Sequence, residues 1–412
     1  MPDIRYSRSP YYVKLAPASG TMATSTTVVS IHSGVTASNP GGTNAVTYTI
    51  VKKPIGGDNF ITLEFSELVN DYINSTFNNA TYATPSAWLT LTTEFFDSAS
   101  ASLGTVDNSA NIPVFVKGYG NFEEGINPTC SSTSAFLGST PCIQIPYDIP
   151  IRIPIYKGDN ATIQFQKKQA DGTYTTVNTQ TFTTGADPLD TDLWAYVTTA
   201  AQSVENYSDY SNAVLDSMPD NYSVNAELMN TQNTNQIYWC NIDNQLDYDR
   251  VLVTRGGGST DTINVDRIKE AIYDGFRVTF LNKKGALEDL YMFKNSIETL
   301  NTESKEFKRQ LLDYTTPTYN TDAHQYKKFS VSGRKKLNLK SGFVNECQNI
   351  AFEQLFMSET VWLTQISDIA NNDPIPVNLT NKSLQFKTDI NERMIEYTLD
   401  FDIAHDLINN VR

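Results

Sequence analysis

At 412 residues the chain is too long for a single hydrophobic core, which implies about two to four domains. Charged residues make up only 19% of it while Tyr (22) and Phe (20) are abundant, a composition typical of large β-rich extracellular or particle-forming proteins. The formal charge of -15 argues against a nucleic-acid binder, and no apolar run approaches the roughly eighteen residues that a membrane-spanning helix needs.

In chain order, residues 1–43 read as an exposed N-terminal arm and loops, with a short strand around Val28 to Ile31. No apolar h-region or small-residue cleavage site follows the first basic residues, so a Sec signal peptide is not expected. Residues 44–185 read as one or two β-sandwich-like domains. VTYTIVKKP is a strand, PIGGDN a turn and FITLEF a second strand, after which Ser66 is placed as the cap of a short helix, SELVNDYI. WLTLTTEFF and IPVFVKGYG continue the strands, and NATIQFQKKQADGTYTTVNTQTFTT reads as a hairpin turning at Ala170 to Thr173. Residues 186–235, rich in Asp, Asn, Ser and Tyr, suit a connector with a small helical piece near Trp194 to Val204.

Residues 236–412 read as a C-terminal β-rich domain. QIYWCNI and RVLVT are strands, and DTINVDRIKEAIYDG is compatible with a short helix. GFRVTFLNKKGALEDLYMF is a hairpin turning at Asn282 to Gly285. A long polar segment, SIETLNTESKEFKRQLLDYTTPTYNTDAHQYKK, follows. Phe343, Val344, Cys347, Ile350, Ala351 and Leu355 recur at helical spacing, so a helix is placed at about 343–357. From Met394, the residues Ile395, Tyr397, Leu399, Phe401 and Ile403 alternate with polar ones, the pattern of a half-buried strand on which that helix lies.

The charge is segregated. Residues 1–249 hold 10 basic and 24 acidic residues, residues 250–340 hold 17 and 11, and residues 341–412 hold 4 and 11. A basic island between acidic segments is either a solvated face or one half of a complementary contact between subunits. The run Arg334, Lys335 and Lys336 is the candidate subunit-interface patch.

Catalytic groups are sparse. His32, His324 and His405 are the only imidazoles, and none sits in HxH, HExxH or a CxxC context. Glu123 with Glu124, Asp187 with Asp190 and Asp192, and Asp243 with Asp247 and Asp249 are carboxylate clusters that could in principle serve glycoside hydrolysis or calcium binding, with solvated turns as the plain alternative. Gly256 to Gly258 lacks the Lys of a P-loop. Cys130, Cys142, Cys240 and Cys347 match no zinc spacing. Reduced thiols are expected, the one bridge considered being Cys130–Cys142, which would stabilise by about 3 kcal/mol. Tyr11, Tyr12, Tyr119, Tyr207, Tyr210 and Tyr222 lie in loop-like sequence, as a protein interface or a glycan platform, whereas Trp88, Trp239 and Trp362 lie in strand patterns and are assigned to the core.

FLNKKGALEDLYMF, LNLKSGFVNECQNIAFEQLFMSETVWL and PIPVNLTNKSLQFKTDINERMIEYTLDFDIAHD, with RSPYYV and FITLEFSELVNDYI near the N-terminus, resemble large structural proteins of tailed bacteriophages infecting Bacteroidetes-type hosts. The resemblance implies a virion component of the tail, tail tip or baseplate, made in the host cytoplasm and partnered by copies of itself and neighbouring tail proteins. It carries over no catalytic, cofactor-binding or metal-binding residue. The expectation is therefore a mainly β protein of two or three β-sandwich-like domains with short helices, the C-terminal helix packed on an antiparallel sheet, assembling as a symmetric oligomer. A receptor- or glycan-binding adhesin and a carbohydrate-active enzyme are the competing classes.

Overall fold

The computed structural model describes residues 4–33, 46–73, 76–77, 82–83, 87–107, 114–128, 136–146, 149, 151–156, 160–183, 196–197, 226–229, 237–242, 248–255, 259–268, 273–312, 315, 317–368, 374–385 and 395–408. The chain is mainly β, as its composition requires.

The N-terminal domain contains β1 (Ile4–Tyr6), β2 (Tyr12–Leu15), β3 (Thr24–Ser33), β4 (Val46–Lys52), β5 (Ile61–Glu64), α1 (Ser66–Tyr72), β6 (Thr76–Phe77), β7 (Tyr82–Ala83), β8 (Ala87–Phe96), β9 (Ser102–Asp107) and β10 (Val114–Val116). Its main sheet has the order β1-β10-β8-β3-β4, with β9 also beside β8. Alternation on β8 and β3 buries Leu89, Leu91, Phe95, Val29 and Ile31 against Ile61, Leu63 and Phe65, and against Val69 of α1.

Two expectations are corrected here. Residues 4–33 are not an arm: β1 pairs in parallel with β10, β2 pairs with β5, and β3 is an interior strand, while residues 34–43 lie outside the described residues. Part of β3's buried face is polar, Thr27 Oγ1 lying 2.9 Å from Thr93 Oγ1 across the strands, which hides its hydrophobic period. The two strands expected around PIGGDN are present, β4 joining β3 and β5 joining β2. Ser66 is not the cap of α1; the N-cap is Phe65, and Ser66 donates to Glu64.

The middle domain contains β11 (Cys142–Pro146), β12 (Ile151–Tyr156), β13 (Asn160–Lys168), β14 (Tyr174–Thr183), β15 (Tyr196–Val197), β16 (Ala226–Met229), β17 (Ile237–Ile242), β18 (Arg250–Arg255) and β19 (Thr260–Ile268). A six-stranded sheet of order β11-β19-β18-β13-β14-β15 faces a three-stranded one of order β12-β17-β16. Between them lie Ile151, Ile153, Ile155, Ile163, Phe165, Val251 and Ile263 in a sandwich-like core. The β13–β14 hairpin turns where expected. The boundary at 186–235 does not hold, because β13 pairs with β18, and β11 with β19, across it. Tyr196 and Val197 are in a strand rather than a helix, and the rest of the expected helical piece near Trp194 to Val204 lies outside the described residues. Asp261 to Ile268 lie in β19 where DTINVDRIKEAIYDG is compatible with a short helix, and residues 269–272 of that stretch lie outside the described residues.

The C-terminal domain contains β20 (Phe276–Leu281), β21 (Leu287–Met292), β22 (Ile297–Lys308), β23 (Tyr326–Val344), α2 (Asn349–Phe356), β24 (Val361–Gln365), β25 (Ile375–Leu379) and β26 (Ile395–Ile403). Its seven-stranded antiparallel sheet runs β21-β20-β24-β25-β26-β23-β22. The expected β20–β21 hairpin is present: Asn282 N–H donates to Ala286 O (2.8 Å), and Gly285 takes φ 76, which glycine adopts without strain. β26 buries Ile395, Tyr397, Leu399, Phe401 and Ile403 as the alternation requires.

The helix lies on the sheet but begins later than about 343. Phe343 and Val344 end β23, a 3-10 turn covers Glu346–Gln348, and α2 spans Asn349–Phe356. The buried stripe is Ala351, Phe352 and Leu355, while Ile350 points to solvent. Phe352 meets the Tyr397 ring at 4.5 Å, and Tyr397 Oη donates to Asn349 Oδ1 at 2.6 Å.

All three domains converge on the β20–β21 turn, where Tyr6, Val116, Leu137 and Ala286 form one buried cluster. Tyr119 N–H donates to Lys283 O, and Asn282 Nδ2 donates to Leu137 O. Alternation on β20 sends Val278 and Phe280 into the C-terminal core and Arg277 and Thr279 to the opposite face, where Thr279 meets Arg152 of the middle domain. A disulfide between Cys142 and Cys347 joins the same two domains. The thiols are therefore not all reduced, and Cys142 is not paired with Cys130, which lies outside the described residues.

Candidate interaction surface

Among the described residues the groups that chemistry would need do not converge. His32 stacks on Trp88, ring centroids 4.1 Å apart, and burial holds its pKa below the ordinary value. His324 and His405 are exposed. Glu123 and Glu124 are exposed in a short 3-10 turn, Glu124 paired with Lys283. Asp249 meets Lys167 Nζ at 3.2 Å and accepts from Lys168 N–H at 2.8 Å, while Asp187, Asp190, Asp192, Asp243 and Asp247, with Gly256 to Gly258, lie outside the described residues. Among the described residues no group of three His, Cys, Asp or Glu could hold a metal ion. No helix among them is long and apolar enough to cross a membrane.

The buried charges sit at the junction of two domains, where Arg152, Glu288 and Asp289 line a small cavity of about 20 Å³. Arg152 donates to both Asp289 oxygens, Nε–Oδ2 2.7 Å and Nη2–Oδ1 2.8 Å, their side chains 4% and 3% exposed. Thr279 Oγ1 donates to Oδ1 at 2.6 Å. Beside them, burial first and the Arg152 charge second lower the Arg277 pKa to about 10. Glu288 accepts from Ser139 N–H, Ser139 Oγ and Asn282 Nδ2, and burial nevertheless raises its pKa. Each of these carboxylates is spoken for by a cross-domain or turn contact, which is a structural arrangement.

Among the described residues, what is left without a further strand partner is the end of β22 and β23. β26 pairs with β23 only from Lys336 onward, so Glu303–Lys308 and Tyr326–Ser332 continue as a two-stranded ribbon, about 20 Å of extended backbone, with residues 310–312 and 317–324 beyond its end. Every residue of β22 is exposed, and Lys327 to Ser332 are exposed too. Phe307 (45% exposed) and Phe329 (48%) touch edge to face at 5.8 Å on one side of the ribbon; Tyr326 (56%), opposite Lys308, lies on the other with Leu300. The register shifts between Glu303 and Lys305, where Ser330 takes φ 52, a bulge that adds twist. Sequence reasoning passed over this segment as merely polar.

The candidate patch Arg334, Lys335 and Lys336 sits at the base of the ribbon, but not as one free surface. Arg334 pairs with Asp406 (3.3 Å), Lys335 with Glu298 (2.6 Å) and Lys336 with Asp400 (3.7 Å), and alternation puts Lys335 on the opposite face from the other two. Of the tyrosines, Tyr11 packs edge-on against Phe115 (5.1 Å) and Tyr119 lies under Arg8 (5.1 Å), so neither is a free platform. Tyr12 is exposed, and Tyr207, Tyr210 and Tyr222 lie outside the described residues. Trp88 is buried and Trp362 half-buried against Phe77, while the Trp239 side chain is outside the described set.

Comparison with protein-family models gives no match, and comparison with curated proteins gives none either.

Proposed function

We propose that the chain is a structural, non-enzymatic protein of a tailed-bacteriophage virion, a component of the tail, tail tip or baseplate that works by assembling into a symmetric oligomer. The observation that carries the assembly reading is the ribbon: a two-faced extension whose Phe307, Phe329 and Tyr326 are left exposed by the described residues. Two strands alone are marginally stable in water, so an extension of this length gains most from a partner. The virion assignment rests on the resemblance of the C-terminal segments to phage structural proteins. Native mass and negative-stain microscopy of the purified full chain test it: rings or stacked discs are expected, and a monomer at every concentration ends the reading.

A second reading, a receptor- or glycan-binding adhesin, draws on the ribbon loop, where Tyr319 is 66% exposed beside an open cleft of about 580 Å³ lined by Lys308, Arg309, Leu312 and Gln325. A glycan array probed with the intact protein decides it; no bound glycan removes this reading.

A further inference from the structure

We propose that the ribbon docks, faces inward, on the acidic body of a second copy of this chain in a head-to-tail contact. The inference deepens the assembly reading and rests on it.

The occupant follows from charge. Residues 297–340 hold 9 basic and 5 acidic residues, +4, which leaves -19 of the chain's -15 on everything else. Lys305, Lys308, Lys327 and Lys328 are exposed on the ribbon, and none forms an ion pair among the described residues, unlike the three cations at its base. A second copy presents the complementary acidic surface, whereas ribbon against ribbon sets like charges together. A contact between different surfaces of the same chain is heterologous, and repeated around a closing rotation it makes a ring.

The mode follows from geometry. β22 is the edge of the seven-stranded sheet, but Glu298, Glu303, Lys305, Glu306 and Lys308 line it and the bulge twists it, two features that oppose addition of a further strand. The apolar groups stand instead on the faces, Phe307 with Phe329 on one and Leu300 with Tyr326 on the other. A neighbour that covers both faces buries these aromatic anchors inside a rim of lysines. A basic ribbon with aromatic side chains could also enter a nucleic-acid groove, but the -19 on the remainder of the molecule repels a polyanion.

The test uses the full-length protein with Lys305→Glu, Lys308→Glu, Lys327→Glu and Lys328→Glu combined, and separately Phe307→Ser with Phe329→Ser. Sedimentation velocity at low and high salt reads the oligomer, and circular dichroism with thermal melting reads the fold. Both variants are expected to keep the wild-type spectrum and to weaken self-association by about 100-fold or more, with the wild-type oligomer itself loosening at high salt. A photo-reactive residue at position 329 is expected to cross-link to a peptide outside 297–340 of another copy, a readout that does not depend on either variant folding. An oligomer that survives both sets of substitutions overturns the ribbon's role and leaves the assembly reading standing. A chain that is monomeric throughout ends both. Cross-links from ribbon to ribbon, or duplex DNA retained by wild type and released by the lysine variant, overturn the proposed partner.

Discussion

Asp289→Asn leaves the buried Arg152 guanidinium facing a neutral amide, with Arg277 beside it. Removing one partner of a buried ion pair costs about 3–5 kcal/mol, because the other charge stays out of water without compensation. Here the loss falls at the upper end. Arg277 is lowered to about 10 by burial and by Arg152, and Asp289 is the carboxylate that offsets both, so its removal leaves two cations in one dry site. Arg152→Met is milder: Asp289 keeps the Thr279 hydroxyl at 2.6 Å and the attraction of Arg277, and the Arg152–Arg277 repulsion disappears, giving about 3 kcal/mol. At about 3 °C per kcal/mol for a domain of this size, the melting temperature drops by about 15 °C for Asp289→Asn and about 9 °C for Arg152→Met. Urea unfolding followed by circular dichroism, at neutral pH, measures both, and the double variant should lose less than the sum of the singles. Equal losses, or a larger loss for Arg152→Met, would show that Arg277 is not part of the balance.

Three further outcomes follow from the same geometry. Cys142→Ser with Cys347→Ser opens a loop spanning 205 residues and should lower stability by about 2–5 kcal/mol; a urea midpoint that does not move between oxidised wild type and the double variant would rule out a contribution from the bridge. Burial raises the Glu288 pKa above 4.5, so the folded chain holds more protons than the unfolded one between that value and the raised one. Stability should accordingly fall as pH rises through that window, and Glu288→Gln should flatten the slope there; an unchanged slope would assign it to other groups. Gly342 takes φ 74 where β23 shifts register, and a Cβ would sit 2.3 Å from the Phe293 ring, so Gly342→Ala should cost about 1–3 kcal/mol in thermal melts, whereas Gly57→Ala, with φ 90 but open space, should cost less.

What the sequence made legible was local. The β13–β14 and β20–β21 hairpins close over a few residues with turn chemistry on the page, and β26 alternates because one of its faces is buried. The pairings that define the domains are not local. β1 with β10, β11 with β19 and β13 with β18 join segments with a hundred or so intervening residues, and nothing in Ile4–Tyr6 announces its partner. The same holds for Cys142 and Cys347, since spacing carries no pairing information at that range. Helix α2 was placed early because Phe343 and Val344 share its apolar character while belonging to the strand before it. The ribbon was missed for a different reason: a strand exposed on both faces has no hydrophobic period, so IETLNTESKEFK reads as a polar loop.

The ribbon and the domain junction make complementary demands on the fold. Near the β20–β21 turn the chain spends its costly interactions, with a disulfide, a bidentate buried ion pair and the Ser139–Glu288 bonds all joining the middle and C-terminal domains, and with Arg8 and Lys117 meeting Glu359 at 2.9 and 3.5 Å on the N-terminal side. A buried pair adds little net stability over apolar packing, but it penalises every relative placement of the domains that separates its members. The sheet continues from that junction through β20, β24, β25, β26 and β23 to the base of the ribbon, so a fixed junction fixes the direction in which the ribbon leaves the body. A flexible body would lose orientational entropy each time the ribbon docked, and a ring needs the same angle at every contact to close. Loosening the junction should therefore weaken assembly even where the ribbon is intact. Asp289→Asn, measured below its own melting transition, should raise the concentration at which oligomers form; an unchanged association midpoint would separate the two ends of the sheet.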